Sequence, residues 1–319
     1  MEMKPELLTR IEALEKKYAA MGQDLISYLD GLLYAEYLTY WDYIHLDTLL
    51  SLQNPKTAFP DEHIFIIYHQ ITELYFKLSL NEFSQLAARE KVDGTYLLQR
   101  IQRINNYFEN LVRSFDIMVD GMEPGQFLKF RMSLLPASGF QSAQYRMIEI
   151  CSTDMSRLVD KDVREEFEKN PPSMEKMFEH IYWKAGATEL ATGKKTLTLR
   201  QFEEKYSFEL TKLAKEYQGK NLRVLYRSLP AEEQQDPKLI NALKLLDVNV
   251  NVNWPLSHYK SAVRYLQKDP EDIAATGGTN WQKYLPPRFQ KRIFYPELWS
   301  DQDLQEWGKA WVKREVFGM

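Results

Sequence analysis

An all-α fold is what this sequence predicts, on three observations. Glycine is scarce, at 13 of 319 residues. Apolar side chains recur three and four positions apart over long stretches and do not alternate. The turn signals that interrupt them, such as Pro124-Gly125, Asn170-Pro171-Pro172 and Ala275-Thr276-Gly277-Gly278, are too short to be interdomain linkers. With 44% hydrophobic and 13% aromatic residues, the chain can bury a large core, as one domain or as a domain with a smaller appendage.

Taken in order, Leu7 to Met21 repeats Leu7, Ile11, Leu14 and Tyr18 at helical spacing among many charges, so it reads as an exposed helix in need of a partner surface. The clearest helix runs from Glu62 through Phe83 towards Glu90, with Asp61 as the expected N-cap after Pro60. Further helices are expected over Tyr96 to Met118, Phe140 to Ser152, Arg164 to Lys169, Ser173 to Trp183, Arg200 to Tyr217 and Lys238 to Leu246. Pro255 is placed to open another, running through Tyr265. The domain reading that follows is an N-terminal helix over residues 1–30 contacting a partner subunit, then one helical domain over 31–319. A small lid from about 155–235 is possible within it, with polar residues 185–199 as a loop or lid base.

A formal net charge of -4 provides no basic stripe for a phosphate backbone, which argues against nucleic acid as a partner. The single cysteine, Cys151, excludes an intrachain disulfide and any cysteine-rich zinc or iron–sulfur site; it reads as a core residue of a protein from a reducing compartment. Met1 to Arg10 lacks the apolar stretch of a secretion signal, and no run is long enough to span a bilayer, so a cytoplasmic location without membrane contact is expected. Phosphate loops, G-x-S-x-G elbows and His-Glu-x-x-His patterns are also missing, which weighs against common hydrolase, kinase and nucleotide-binding chemistries.

Histidine is the scarce chemical resource: five are present, at 45, 63, 69, 180 and 258. His69 sits in an apolar helix with Phe65 one turn before it and Glu73 one turn after. It is either a core histidine satisfied by a backbone carbonyl or by Glu73, or a residue facing a pocket. His258 follows Asn253-Trp254-Pro255-Leu256-Ser257; alone it means little, although an apolar-flanked helical imidazole is chemically suited to bind haem iron. His45, His63 and His180 read as surface or packing residues. Arg131, between aromatics in Phe127-Leu128-Lys129-Phe130-Arg131, is either a carboxylate clamp or a surface or helix-end cation. Thr276-Gly277-Gly278 is either an anion-binding turn or a flexible one, and Tyr40, Tyr43 and Ile44 form a cluster that by default is core.

Three blocks in chain order carry a resemblance: Leu38-Thr39-Tyr40-Trp41-Asp42-Tyr43-Ile44-His45-Leu46-Asp47, then Asp61-Glu62-His63-Ile64-Phe65-Ile66-Ile67-Tyr68-His69-Gln70, then Pro136-Ala137-Ser138-Gly139-Phe140-Gln141-Ser142-Ala143-Gln144-Tyr145-Arg146. With Trp254 to His258, Thr276-Gly277-Gly278 and Phe294-Tyr295-Pro296-Glu297-Leu298, the chain resembles the tryptophan 2,3-dioxygenase family from about residue 38 to 299. The resemblance implies a helical-bundle haem-dioxygenase fold, haem b, and a homotetramer acting on L-tryptophan and O2 to give N-formyl-L-kynurenine. His258 would be the axial iron ligand, and His69 would accept a hydrogen bond from the indole N–H. Arg131 and Thr276 would hold the amino-acid end of the substrate. Phe65, Phe127 and Leu134, with Tyr40, Tyr43 and Ile44 from a neighbouring subunit, would form the apolar wall, while Ser138 and Gly139 would line the oxygen side. The chain departs from the family pattern at Pro255, at Tyr75, in the lengthened Lys268-Asp269-Pro270-Glu271-Asp272 connection, and at Thr279-Asn280-Trp281. A mono-oxygenase of the same fold acting on another aromatic amino acid or an indole is the first alternative. The second is a non-catalytic haem or gas-binding protein, or a helical interaction module without a cofactor.

Overall fold

The computed structural model describes residues 4–36, 38–134, 138–188, 194–266, 287 and 291–309, and among these every regular element is a helix. Extended pairing among them is confined to two isolated bridges, Val159 with Ile181 and Thr188 with Lys195. The all-α expectation is therefore met. The chain divides into two compact units, residues 1–54 and 55–319.

The first unit holds α1 (Pro5–Ala20), α2 (Leu25–Leu33), α3 (Tyr40–Tyr43) and α4 (Leu46–Leu50). Pro5 opens α1, where its missing N–H costs nothing, and the Asp24 carboxylate caps α2 by accepting from the Ile26 and Ser27 N–H groups. His45 links α3 to α4 in the left-handed conformation, φ 52°. None of these helices contains a buried residue. The amphipathic stripe read from the sequence is thus present, with Leu7 and Leu14 exposed and Ile11 and Tyr18 half-buried, Tyr18 against Tyr28 of α2.

The second unit opens with α5 (Asp61–Ala87), α6 (Gly94–Ser114), α7 (Asp116–Asp120) and α8 (Pro124–Phe130). Two 3-10 turns, Arg131–Leu134 and Gly139–Gln141, precede α9 (Ala143–Ser152). Then follow α10 (Lys161–Lys169), α11 (Met174–Glu179), α12 (Tyr182–Gly186), α13 (Leu197–Tyr217), α14 (Leu222–Ser228) and α15 (Ala231–Gln234). α16 (Pro237–Val248), a π turn (Asn249–Asn253) and α17 (Trp254–Leu266) form one continuous helix, and α18 (Asp301–Gln305) follows.

α6 is the spine. Leu97, Ile101, Ile104, Phe108 and Leu111 recur at helical spacing with no exposed surface, packed against α5 on one side and α16 on the other. Each contributes roughly 1.5–3 kcal/mol of burial. The 155–235 stretch supplies Leu158, Val159, Ile181, Tyr182, Trp183 and Leu199 to the same core, and Cys151 is buried in it as expected.

Several boundaries differ from expectation for local reasons. Asp61 is not the N-cap; Pro60 holds that position, and the Asp61 carboxylate instead accepts the Glu123 N–H at 2.6 Å, tying α5 to the start of α8. The helix expected over Ser173 to Trp183 breaks at His180 and Ile181, where Ile181 bridges Val159. Tyr96 to Met118 becomes α6 and α7, which meet at Phe115. Pro255 opens no helix, because α17 continues from α16 through the π turn.

Two buried carboxylates brace the frame. Glu149 of α9, fully buried, pairs with Arg146 and Arg292 and accepts the Tyr182 hydroxyl at 2.6 Å. Asp247, near the end of α16, accepts from the backbone N–H of Phe294 and Tyr295, from the Asn251 amide and from the Trp299 indole. Burial pushes the Asp247 carboxyl up to about 6, while these donors pull the other way. Asp247→Asn would put an amide NH2 among donors, so it is expected to lower stability by about 3 kcal/mol in urea unfolding. A loss under about 1 kcal/mol would show that those donors are satisfied without the carboxylate.

Candidate functional site

α5 and α17 each bring one histidine to the same region. His69 lies on the face of α5 shared with Phe65, and its Nδ1 is 2.7 Å from the Phe65 carbonyl oxygen. On α17, His258 Nδ1 is 3.1 Å from the Trp254 carbonyl oxygen. A carbonyl can only accept, so Nδ1 carries the hydrogen in both rings and Nε2 is left with its lone pair. Neither Nε2 is hydrogen-bonded to a described residue.

Both imidazoles are half-buried, and each is held by aromatic neighbours. Phe65 stacks on His69 with ring centres 4.1 Å apart. Phe115 and Trp254 flank His258 at 4.5 and 4.4 Å. Burial lowers the pKa of each ring, and the two are close enough that charge on His69 further opposes protonation of His258, which falls to about 4. His258 is therefore a neutral base at physiological pH, the form that binds a metal.

Between these rings and α8 the side chains are aromatic. Phe65 lies 6.4 Å from Phe127 and 5.8 Å from Phe130, and Phe127 lies 4.7 Å from Tyr265 of α17. Arg131, at the C-cap of α8 after Phe130, is 7% exposed, so it is a helix-end cation as one reading expected but not a surface one; burial lowers its pKa. Leu134 is half-buried against the core. The Ser138 hydroxyl accepts the Phe140 N–H at 3.4 Å, and the Gln141 side chain accepts from Ser138 N–H at 3.2 Å. A Cβ at Gly139 would meet nothing within 4 Å, so open space adjoins that backbone.

The remaining candidates fall elsewhere. Tyr40 and Tyr43 belong to the first unit, where they are 69% and 74% exposed, with Ile44 half-buried; the default core reading of that cluster does not hold. Thr276, with Gly277 and Gly278, lies outside the described residues. His45 and His63 are exposed and His180 packs edge-on against Phe167. A cleft of about 430 Å3 lined by Asp154, Met174, Tyr217 and Arg223 includes neither site histidine. Phe115, Trp254 and Tyr265 were not singled out from the sequence as site residues; for Trp254 the signal was present, since it stands one helical turn before His258.

No group of three or more His, Cys, Asp or Glu side chains among the described residues is arranged to hold a metal ion. Among the described residues the site is all-helical: two imidazoles near each other, aromatic side chains from α5, α8 and α17, and the buried Arg131 following Phe130. Comparison with known proteins is specific. The family profile for tryptophan 2,3-dioxygenase matches residues 32–182. The tryptophan 2,3-dioxygenase of Bradyrhizobium diazoefficiens is 30% identical over 274 residues, 82% of this chain and 91% of that protein. The one from Bacillus thuringiensis is 29% identical over 279 residues, 84% and 92% of the two chains. A Ruegeria relative of the same name is 41% identical over 119 residues, and the chain spans 42% of that protein's length in the match. This chain belongs to the tryptophan 2,3-dioxygenase family, a family of oxidoreductases.

The depressed His258 pKa has a measurable consequence. An unfolded imidazole binds its proton near 6.5 and the folded one only near 4, so between those values the unfolded chain holds the extra proton and stability falls as pH drops. Urea midpoints of the ligand-free chain are expected to decline across that window, and less steeply in His258→Gln. An unchanged slope in the variant would contradict the assignment.

Proposed function

We propose that this chain is a haem-dependent dioxygenase that opens the indole ring of L-tryptophan between C2 and C3, giving N-formyl-L-kynurenine. One observation carries the reading: two neighbouring imidazoles, each with Nδ1–H committed to the carbonyl four residues back and Nε2 hydrogen-bonded to no described residue, stand among aromatic side chains. The residues fit haem b. His258 would hold the haem iron through Nε2, with Phe115 and Trp254 fixing the plane of its ring. When bound, haem supplies the iron chemistry that lets dioxygen react with the indole and places both oxygen atoms in the product.

The chain's own residues bind, orient and exclude water. Nε2 of His69 accepts a hydrogen bond from the indole N–H, and the Phe65 stack keeps the imidazole in place for it. Phe65, Phe127 and Leu134 form the apolar wall against the indole. Arg131 binds the substrate carboxylate, in surroundings dry enough to strengthen that pair. Thr276 completes the grip on the amino-acid end, and Ser138 with Gly139 lines the oxygen side, next to open space. His69 need not remove a proton; its part is orientation, which by geometry alone is worth about a hundredfold in rate.

The oligomer belongs to the same proposal. Tyr40, Tyr43 and Ile44 would wall the pocket of a neighbouring subunit in a homotetramer, which gives a use to their exposure on the first unit. A cytoplasmic location agrees with the single buried thiol, and among the described residues no helix is long and apolar enough to cross a membrane.

Turnover of L-tryptophan under labelled dioxygen tests the reading. Two labelled oxygens are expected in the product, with His258→Ala inactive and His69→Ala slowed by about a hundredfold. One labelled oxygen in the product, or full activity of His258→Ala, would overturn it.

A further inference from the structure

Pro255 stands out inside the helix that carries His258. In the π turn before it, the Trp254 N–H donates to the Asn249 carbonyl, five residues back. In that register the next bond would run from residue 255 to the Val250 carbonyl, and proline has no N–H to give. Tyr145 of α9 provides the missing donor: its hydroxyl lies 2.7 Å from the Val250 carbonyl oxygen, with both residues buried.

The register matters because a helix turns by about 100° per residue. Leu239, Leu243 and Leu246 fix the azimuth of α16 in the core. Relaxing the π turn to regular α geometry would swing everything after it, His258 included, by roughly a quarter turn. The turn is braced further by amides: Asn253 Nδ2 to Asn249 Oδ1 at 2.9 Å, and Asn249 Nδ2 to Asn105 Oδ1 at 3.3 Å on α6. Ser257 Oγ donates to the Asn253 carbonyl at 2.9 Å.

We propose that Tyr145 is a positioning residue for His258: its hydroxyl replaces the amide hydrogen that Pro255 lacks and so holds the π register that sets the direction of the imidazole. The inference rests on the reading of His258 as the iron ligand. Tyr145 also lies 3.4 Å from Arg292 Nη1, at the edge of the Glu149 network, so its test must separate aim from packing.

Haem titration followed at the Soret band, with thermal melting alongside, makes that separation. Wild type is expected to bind haem and His258→Ala to lose it; if wild type does not, the site reading fails and this inference with it. Tyr145→Phe is expected to weaken haem binding by about tenfold. Tyr145→Phe with Pro255→Ala, which returns an N–H to the turn, is expected to recover most of the loss. Haem binding by Tyr145→Phe equal to wild type, or a double variant as weak as Tyr145→Phe, would overturn the inference and leave the site reading standing. A drop in melting temperature alone would likewise place Tyr145 in the Glu149 network only. Should Tyr145→Phe fail to fold, a folded, haem-binding double variant supports the inference and an unfolded one overturns it.

Discussion

The hydrogen bond from His258 Nδ1–H to the Trp254 carbonyl is the interaction on which the rest of the site depends. It fixes the tautomer, and with the tautomer the position of the lone pair on Nε2. Burial then keeps the ring neutral, while Phe115 and Trp254 leave it little room to rotate. His69 repeats the arrangement one helix away, with its Nδ1 on the Phe65 carbonyl. The same local bond therefore fixes both rings alike: on α17 and on α5 it leaves Nε2 with its lone pair.

Those two bonds are local, but the relative placement of the rings is a long-range property of the frame. α6 packs against both α5 and α16, so the helices carrying the two histidines share one rigid neighbour. Asp247 fastens the end of α16 to residues 294–299, and Glu149 joins α9 to Tyr182 and Arg292. These carboxylates are costly to bury unless every oxygen is met by a donor, and each is met by several. The price of their burial is thus offset by the specificity they give to the site's geometry.

Much of this was legible in the residues. Apolar periodicity located α1, α5, α6, α13 and α16, and the one-turn spacing of Phe65 and His69 foretold their shared face. Spacing alone left His258 and Arg131 open between packing and function, and the ordered blocks implied roles for both that the proposed function takes up. What stayed hidden has physical causes. The break at His180 and Ile181 depends on the distant partner Val159. Asp61 gave up its capping role for the Glu123 N–H, 62 residues away in sequence. Pro255 looked like the start of a helix because a proline within one requires a substitute donor, and Tyr145 comes from another element altogether. Exposure of Tyr40 and Tyr43 was equally unreadable, since an aromatic cluster at helical spacing has the same pattern whether it faces core or solvent.

Resonance Raman spectroscopy of the reduced, haem-loaded protein tests the central claim most directly, because it reads the iron–imidazole bond itself. An iron–histidine stretching mode that is present in wild type and His69→Ala and absent from His258→Ala is the predicted result. The same mode persisting in His258→Ala would contradict the account.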